Sequence, residues 1–233
     1  MEIKGSVALV TGANRGLGRH FAATLLERGA AKVYAAARRP ESVDLPGVVP
    51  LALDITDPAS VRAAAEQAGD VTLLINNAGV STGASALHGN LGDVRLEMET
   101  HYFGTLAMAR AFAPVLARGG GGAVLNVLSV LSWLTVPRAA AYSAAKAAAL
   151  QLTNALRLEL RDQGTQVTAL HVGYMETDMA AHVDGPKVDP ATVAAQALDG
   201  VERGLFEVIA DDASRHVRSK LSGDLAGLYP QLA

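Results

Sequence analysis

In YSAAK (142–146) a tyrosine and a lysine stand four residues apart, so on a helix their side chains occupy one face. A free phenol ionises near pH 10 and is a poor acid–base group at neutrality. An ammonium beside it favours the phenolate, which brings Tyr142 within reach of proton transfer by Lys146. Upstream, Ser129 closes NVLS (126–129), and its hydroxyl can hydrogen-bond a carbonyl oxygen and orient it. A fourth candidate lies in METHYFGT (98–105). Met98, His101, Thr105, Met108 and Phe112 recur at intervals of three and four, the stripe a helix turns inward. A histidine there is either a satisfied core residue or a site group with a reference pKa near 6.5.

A second cluster concerns phosphate. TGANRGLG (11–18) follows the first apolar run and opens the first helical pattern. Gly12 permits a tight turn, Gly16 a close backbone approach to a pyrophosphate, and Gly18 close packing of helix on strand. Asn14, Arg15 and Leu17 complete the turn, and the helix N-terminus presents unpaired N–H groups. The spacing is not GxGxxG, so position rather than pattern gives this cluster its weight. After the second run comes AAARRP (35–40), with Arg38 and Arg39 and no carboxylate at the turn. An acid there would hold a ribose 2′-OH, whereas arginine matches a 2′-phosphate. Arg15 can add positive charge near the same phosphate. NADP is therefore expected in preference to NAD.

These groups need a scaffold. Continuous apolar runs at 6–12, 32–37, 48–53, 71–76, 123–128, 166–172 and 206–210 predict strands covered on both faces. Helical patterns at 16–28, 59–68, 92–117, 140–162 and 190–203 alternate with them. The alternation predicts right-handed crossovers and a doubly wound parallel α/β sheet in one domain spanning 1–233. GGGG (119–122) is expected to end a helix and turn into the next strand; a phosphate loop is the lesser alternative, since no helix N-terminus follows it. DGPKVDP (184–190) breaks the pattern and predicts either a mobile segment or a plain surface loop.

The chain has 233 residues, 50% hydrophobic and 18% charged, with a net charge of −3. No basic block advertises nucleic acid or anionic membrane. The absence of cysteine removes disulfides and thiolate metal sites, and no metal site is expected. MEIKGSVALVTG is too short in apolar character for a signal peptide, and no run reaches a membrane span. A cytoplasmic location is the expectation.

From Lys4 to about Met179 the chain resembles the short-chain dehydrogenase/reductase family, through TGANRGLG, Asp54 in LALDITD, NNAG (76–79), Ser129, YSAAK and HVGYMETDM (171–179). The resemblance implies a seven-stranded Rossmann fold and NAD(P)-dependent oxidoreduction at a carbonyl or alcohol. It implies that Ser129 orients the carbonyl, Tyr142 donates the proton as hydride arrives, and Lys146 holds the nicotinamide ribose and tunes Tyr142. Asp54, followed by Ile55, matches the acid that contacts adenine. Asn77, Ala78 and Gly79 match the turn beside the adenosine ribose. Gly173, Met175 and Thr177 match positions around the nicotinamide carboxamide, with Val172-Gly173 where the family usually has Pro-Gly. The larger departure is His101, which stands where the family carries an asparagine that holds a water and completes a Ser–Tyr–Lys–Asn tetrad. Imidazole can hold that water, carry protons itself, or block the path and reshape the site.

Trp133 and Leu134 beyond the fifth strand, and Tyr174, Met179 and His182 in a loop region of about 174–190, are expected around the substrate and suggest an uncharged, partly hydrophobic carbonyl compound. Trp133 serves equally as a packing or subunit-contact residue. The long Ala-rich helices pair between subunits in the family, which implies a homotetramer or dimer; packing inside one subunit is the competing account. The expected activity is an NADPH-dependent ketoreductase, or alcohol dehydrogenase in reverse, on small-to-medium substrates. Imine reduction and a catalytically impaired NADP-binding sensor or scaffold are the alternatives.

Overall fold

The strand register follows from which face each residue can bury. The structure, a computed structural model, describes residues 1–232. In β1 (Val7–Thr11), Ala8 and Val10 point to one core and Leu9 to the other, the period-two alternation of a sheet packed on both sides. The remaining strands are β2 (Lys32–Ala37), β3 (Val49–Ala52), β4 (Leu73–Asn76), β5 (Gly122–Val127), β6 (Thr165–His171) and β7 (Glu207–Ile209). They form one sheet in the order β3-β2-β1-β4-β5-β6-β7, and every pairing is parallel. The expected doubly wound seven-stranded Rossmann fold is therefore correct. Chain order reverses between β1 and β4, and the C-terminal ends of those strands border a crevice suited to a ligand.

Helices α1 (Gly16–Glu27) and α6 (Pro190–Glu202) cover one face, where Phe21, Leu25, Val193 and Leu198 are buried. Helices α2 (Pro58–Gln67), α4 (Thr105–Arg118) and α5 (Ala140–Glu159) cover the other, with Met108, Phe112, Leu116 and Leu156 at its centre. Phe21 and Phe112 are each fully buried, and burying such a side chain contributes about 1.5–3 kcal/mol. The caps are local and readable. Asp57 and Asp189 accept N–H bonds at the starts of α2 and α6, each with proline next in line.

The helix expected over 92–117 is not one regular helix. It runs as α3 (Leu91–Met98), a π-helical stretch (Glu99–Gly104) and then α4. The wide turn adds a residue and rotates what precedes it. His101, Thr105, Met108 and Phe112 are buried as the stripe predicts, but before the turn Glu97, not Met98, is the fully buried side chain. At Gly104 a Cβ would sit 2.9 Å from Ile55 Cδ1, so a larger residue there must displace that side chain. GGGG behaves as expected: Gly119 closes α4, and Gly120, Gly121 and Gly122 take positive φ on the way into β5. A charged helix, α7 (Asp212–Lys220), follows β7 and has no counterpart in the predicted elements.

Candidate active site

The glycine turn leaves β1 at the switch point. Gly12 and Gly16 have φ of +65° and +54°, a conformation side chains resist. At Gly18 a Cβ would lie 2.2 Å from the Gly12 carbonyl oxygen and 2.5 Å from Asn77 Nδ2, so only glycine lets α1 start this close to the strand ends. Leu17 is buried beneath it, Asn14 is partly buried and Arg15 is exposed. Unlike α2 and α6, α1 has no side-chain cap; like them, it carries no acid in its first turn. Its first N–H groups and positive dipole end are thus available to an anion. The Arg15 guanidinium is engaged across the mouth, 3.2 Å from Asp178.

Thr11 and Asn77 lock β1 to β4. The Thr11 hydroxyl accepts from Asn77 N and Ala78 N, both at 2.9 Å, and Asn77 Nδ2 donates to Thr11 O at 2.8 Å. Deeper, Asn76 Nδ2 donates to Asn126 Oδ1, and Asn126 Nδ2 donates to Thr153 Oγ1, each at 2.9 Å, tying β4, β5 and α5 together. At the other end of the crevice Arg38 and Arg39 are exposed after β2. Asp54 is partly buried, which pushes its carboxyl up. Hydrogen bonds from the Thr56 hydroxyl and N–H, with the Arg38 charge, reverse that and leave it below its ordinary value. Ile55 lies buried beside Gly104.

Ser129, Tyr142, Lys146 and His101 converge. Ser129 leaves β5 and caps a short 3-10 turn, its Oγ accepting from Leu131 N at 3.1 Å. Lys146 is buried, and Nζ donates to the Val127 carbonyl at 2.8 Å. Burial lowers the Lys146 ammonium to about 7, with Glu97 opposing the shift. Burial pushes the Tyr142 phenol well above its ordinary value; a hydrogen bond with Ser129 pulls it back in part, and Glu97 and Tyr174 push it higher. The His101 ring meets the Tyr142 ring edge-on and lies against Gly79, where a Cβ would come within 2.8 Å of Cε1. His101 Nε2 is 2.7 Å from Val80 O and 3.5 Å from Val80 N. The shorter contact is to an oxygen that only accepts, which assigns the proton to Nε2. Burial, and then the Lys146 charge, hold this imidazole well below its ordinary range despite the bond to Val80, so it is neutral at pH 7.

The segment after β6 is anchored from α7. Asp211 accepts from Gly173 N at 2.7 Å while capping α7 through Ser214 N at 2.8 Å. Thr177 packs over Gly16, and Met175 pairs with Val188 in an isolated bridge. Tyr174 and Met179 are about half exposed, His182 is exposed, and Leu134 is partly buried. Trp133 stacks on buried His171 at 3.9 Å between centroids, with the Arg218 guanidinium 5.8 Å from its ring. That geometry favours the packing role for Trp133.

Three groups beside this constellation have no signature in the sequence: Glu97, His171 and Asp211. Glu97 and Asp211 look like ordinary surface acids, and His171 continues an apolar strand. Their contacts lie across the fold, so no local pattern announces them. Among the described residues no cluster of His, Cys, Asp and Glu suits a metal ion, and no helix is long and apolar enough to cross a membrane.

Comparison with known proteins bears on this arrangement. The profile of the short chain dehydrogenase family matches residues 6–187. The NADPH-dependent 1-acyldihydroxyacetone phosphate reductase of Schizosaccharomyces pombe is 34% identical, covering 96% of this chain and 77% of its own. The 3-oxoacyl-[acyl-carrier-protein] reductase of Salmonella typhimurium is 27% identical over 98% of this chain and 99% of its own. A short chain dehydrogenase from Burkholderia cenocepacia, solved in complex with NADP, superposes with a TM-score of 0.95 at 42% identity, over 100% of this chain and 99% of that one. With its fold, its glycine turn and the Ser129–Tyr142–Lys146 group, this chain belongs to the short chain dehydrogenase family.

Proposed function

We propose that the protein is an NADPH-dependent carbonyl reductase, working on small-to-medium uncharged ketones and, in reverse, on the corresponding alcohols. The observation that carries this reading is the convergence of Ser129, Tyr142 and Lys146 at the end of β5, beside the glycine turn. The residues present fit the dinucleotide: an uncapped helix start without acids, a turn with no room for a Cβ at Gly18, and Arg38 in place of a carboxylate after β2. Gly12, Asn14, Gly16 and Leu17 would cradle the pyrophosphate. Asp54, Ile55 and Asn77 to Gly79 would line the adenosine, and Gly173, Met175 and Thr177 the nicotinamide. Arg38 would meet the 2′-phosphate. Bound NADPH supplies hydride to the carbonyl carbon.

The chain supplies the rest. Ser129 Oγ donates a hydrogen bond to the carbonyl oxygen and fixes its position. The raised phenol of Tyr142 is protonated at neutral pH and gives its proton to that oxygen as negative charge develops there. Lys146 faces the phenol and stabilises the phenolate left behind, while its remaining N–H bonds are free for the ribose. Tyr174 and Met179, exposed in the segment at 174–190, would border the mouth of the site. The test is Tyr142→Phe. Reduction of a ketone panel should fall at least about a hundredfold, the scale of general acid catalysis, with NADPH binding retained. Parental turnover in the purified variant overturns the assignment of the acid.

A further inference from the structure

Glu97 is fully buried on α3, yet only one of its carboxylate oxygens is used. Oε1 accepts from Thr82 N at 2.8 Å and from the Thr82 hydroxyl, while Oε2 has no hydrogen-bond partner. A glutamine would satisfy Thr82 equally well, since both donors go to one oxygen. The anchor therefore does not explain the charge. Burying a carboxylate is unfavourable unless a cation compensates its charge.

The one buried lysine or arginine among the described residues is Lys146. α3 packs against α5, which carries Lys146 and Tyr142. The Lys146 ammonium is buried with one hydrogen bond, to Val127 O, and two N–H groups left over. Tyr142 on α5 and His101 on the π-helical stretch also face it, the latter neutral. Glu97 and Lys146 share no hydrogen bond, so the carboxylate bears on the ammonium across the α3–α5 interface rather than through a direct pair. Glu97 and His101 are also four residues apart and hold the same exit from β4, one at Thr82 and the other at Val80.

We propose that Glu97 is a positioning residue of the active site, fixed by Thr82 so that its buried negative charge keeps the Lys146 ammonium protonated. The inference rests on the reading of Tyr142 and Lys146 as the acting pair. Without the charge, burial alone acts on Lys146, and a neutral amine neither stabilises a phenolate nor holds a ribose as strongly. Glu97 thus sets the upper pH limit of the site.

The test is a pH titration of Lys146 by NMR in protein labelled at lysine Cε, comparing the parent with Glu97→Gln and with Glu97→Met. Both variants should lower the Lys146 midpoint by about one pH unit, the usual effect of losing a nearby opposite charge. The alkaline limb of turnover should move down with it, and Glu97→Asp should restore part of the shift. A Lys146 titration that superimposes on the parent's in both uncharged variants overturns the proposal. If the parent reduces no carbonyl compound, the reductase reading fails, and the NMR titration still decides the role of Glu97.

Discussion

The rings of His101 and Tyr142 lie 5.1 Å apart between centroids and 85° apart in plane, an edge-to-face contact between the π-helical stretch and α5. Such a pair contributes about 0.5–1.5 kcal/mol beyond its burial, and it fixes the orientation of the phenol. Because His101 donates through Nε2 to Val80 O, the imidazole props the β4 exit and the tyrosine at once. These contacts predict a geometric role for the ring.

His101→Asn tests this. The imidazole is held well below its ordinary range by burial and by Lys146, so it takes up no second proton around neutral pH. The pH–rate profiles of parent and variant should share one shape in that window. Removing the ring leaves space beside Tyr142, so the variant should accept bulkier ketones and lose about 1–2 kcal/mol of stability. A limb near pH 6.5 present in the parent and absent from the variant points instead to proton relay.

Arg38 is exposed after β2 and within electrostatic reach of Asp54. A guanidinium on a phosphate makes charge-assisted bonds of about 1.5–3 kcal/mol. Arg38→Ala should weaken NADPH binding by about tenfold or more and leave NADH binding nearly unchanged, as read by calorimetry. Equal losses for both dinucleotides mean that Arg38 does not read the 2′-phosphate.

Local motifs made much of this site legible. TGANRGLG, NNAG and YSAAK each place their groups through spacing along one turn or one helix face. The strand runs were visible because both faces of a parallel sheet are buried. What stayed hidden depends on distant partners or on a change of helical pitch. A regular 3.6-residue period puts Met98 inward, whereas the π-helical stretch brings Glu97 there instead. Asp211 reaches Gly173 across 38 residues, and the stack of Trp133 on His171 joins two strand exits. No window of sequence contains either contact. The Arg15–Asp178 pair, which joins the glycine turn to the segment after β6, is of the same kind.

Asp211 offers a test of that hidden layer. Its carboxylate is buried and satisfies Gly173 N, Ser214 N and the Ser214 hydroxyl. Asp211→Ala strands two N–H donors and removes the α7 cap, at a cost of about 2–4 kcal/mol. Since Gly173 opens the segment that reaches Thr177, the variant should also bind NADPH more weakly. Urea melts and NADPH titrations read the two effects. A stable variant with unchanged affinity removes Asp211 from the site's support.

His171 governs the last prediction, the response to acid. The ring is fully buried under Trp133, with Nδ1 3.4 Å from Ser129 O, Nε2 without a hydrogen-bond partner, and Glu207 3.8 Å away. Burial lowers its pKa to about 4, against pulls upward from the Ser129 carbonyl and Glu207 and with smaller downward pushes from Arg157 and Arg218. In the unfolded chain the ring titrates near 6.5, so below that pH the unfolded state binds the proton that the folded state refuses. Stability is therefore complete above about pH 6.5 and is lost progressively as pH falls towards 4. The loss approaches about 3 kcal/mol from this group alone, because each tenfold difference in proton affinity between the two states is worth about 1.4 kcal/mol. His171→Gln has no such proton to take up, so its stability should fall less steeply than the parent's between pH 6.5 and 4.5, although it starts lower for want of the Trp133 stack. Urea melts across that range read the slope. Parallel slopes for parent and variant would show that His171 is not the acid-sensitive group and would point to the hydrogen-bonded carboxylates instead.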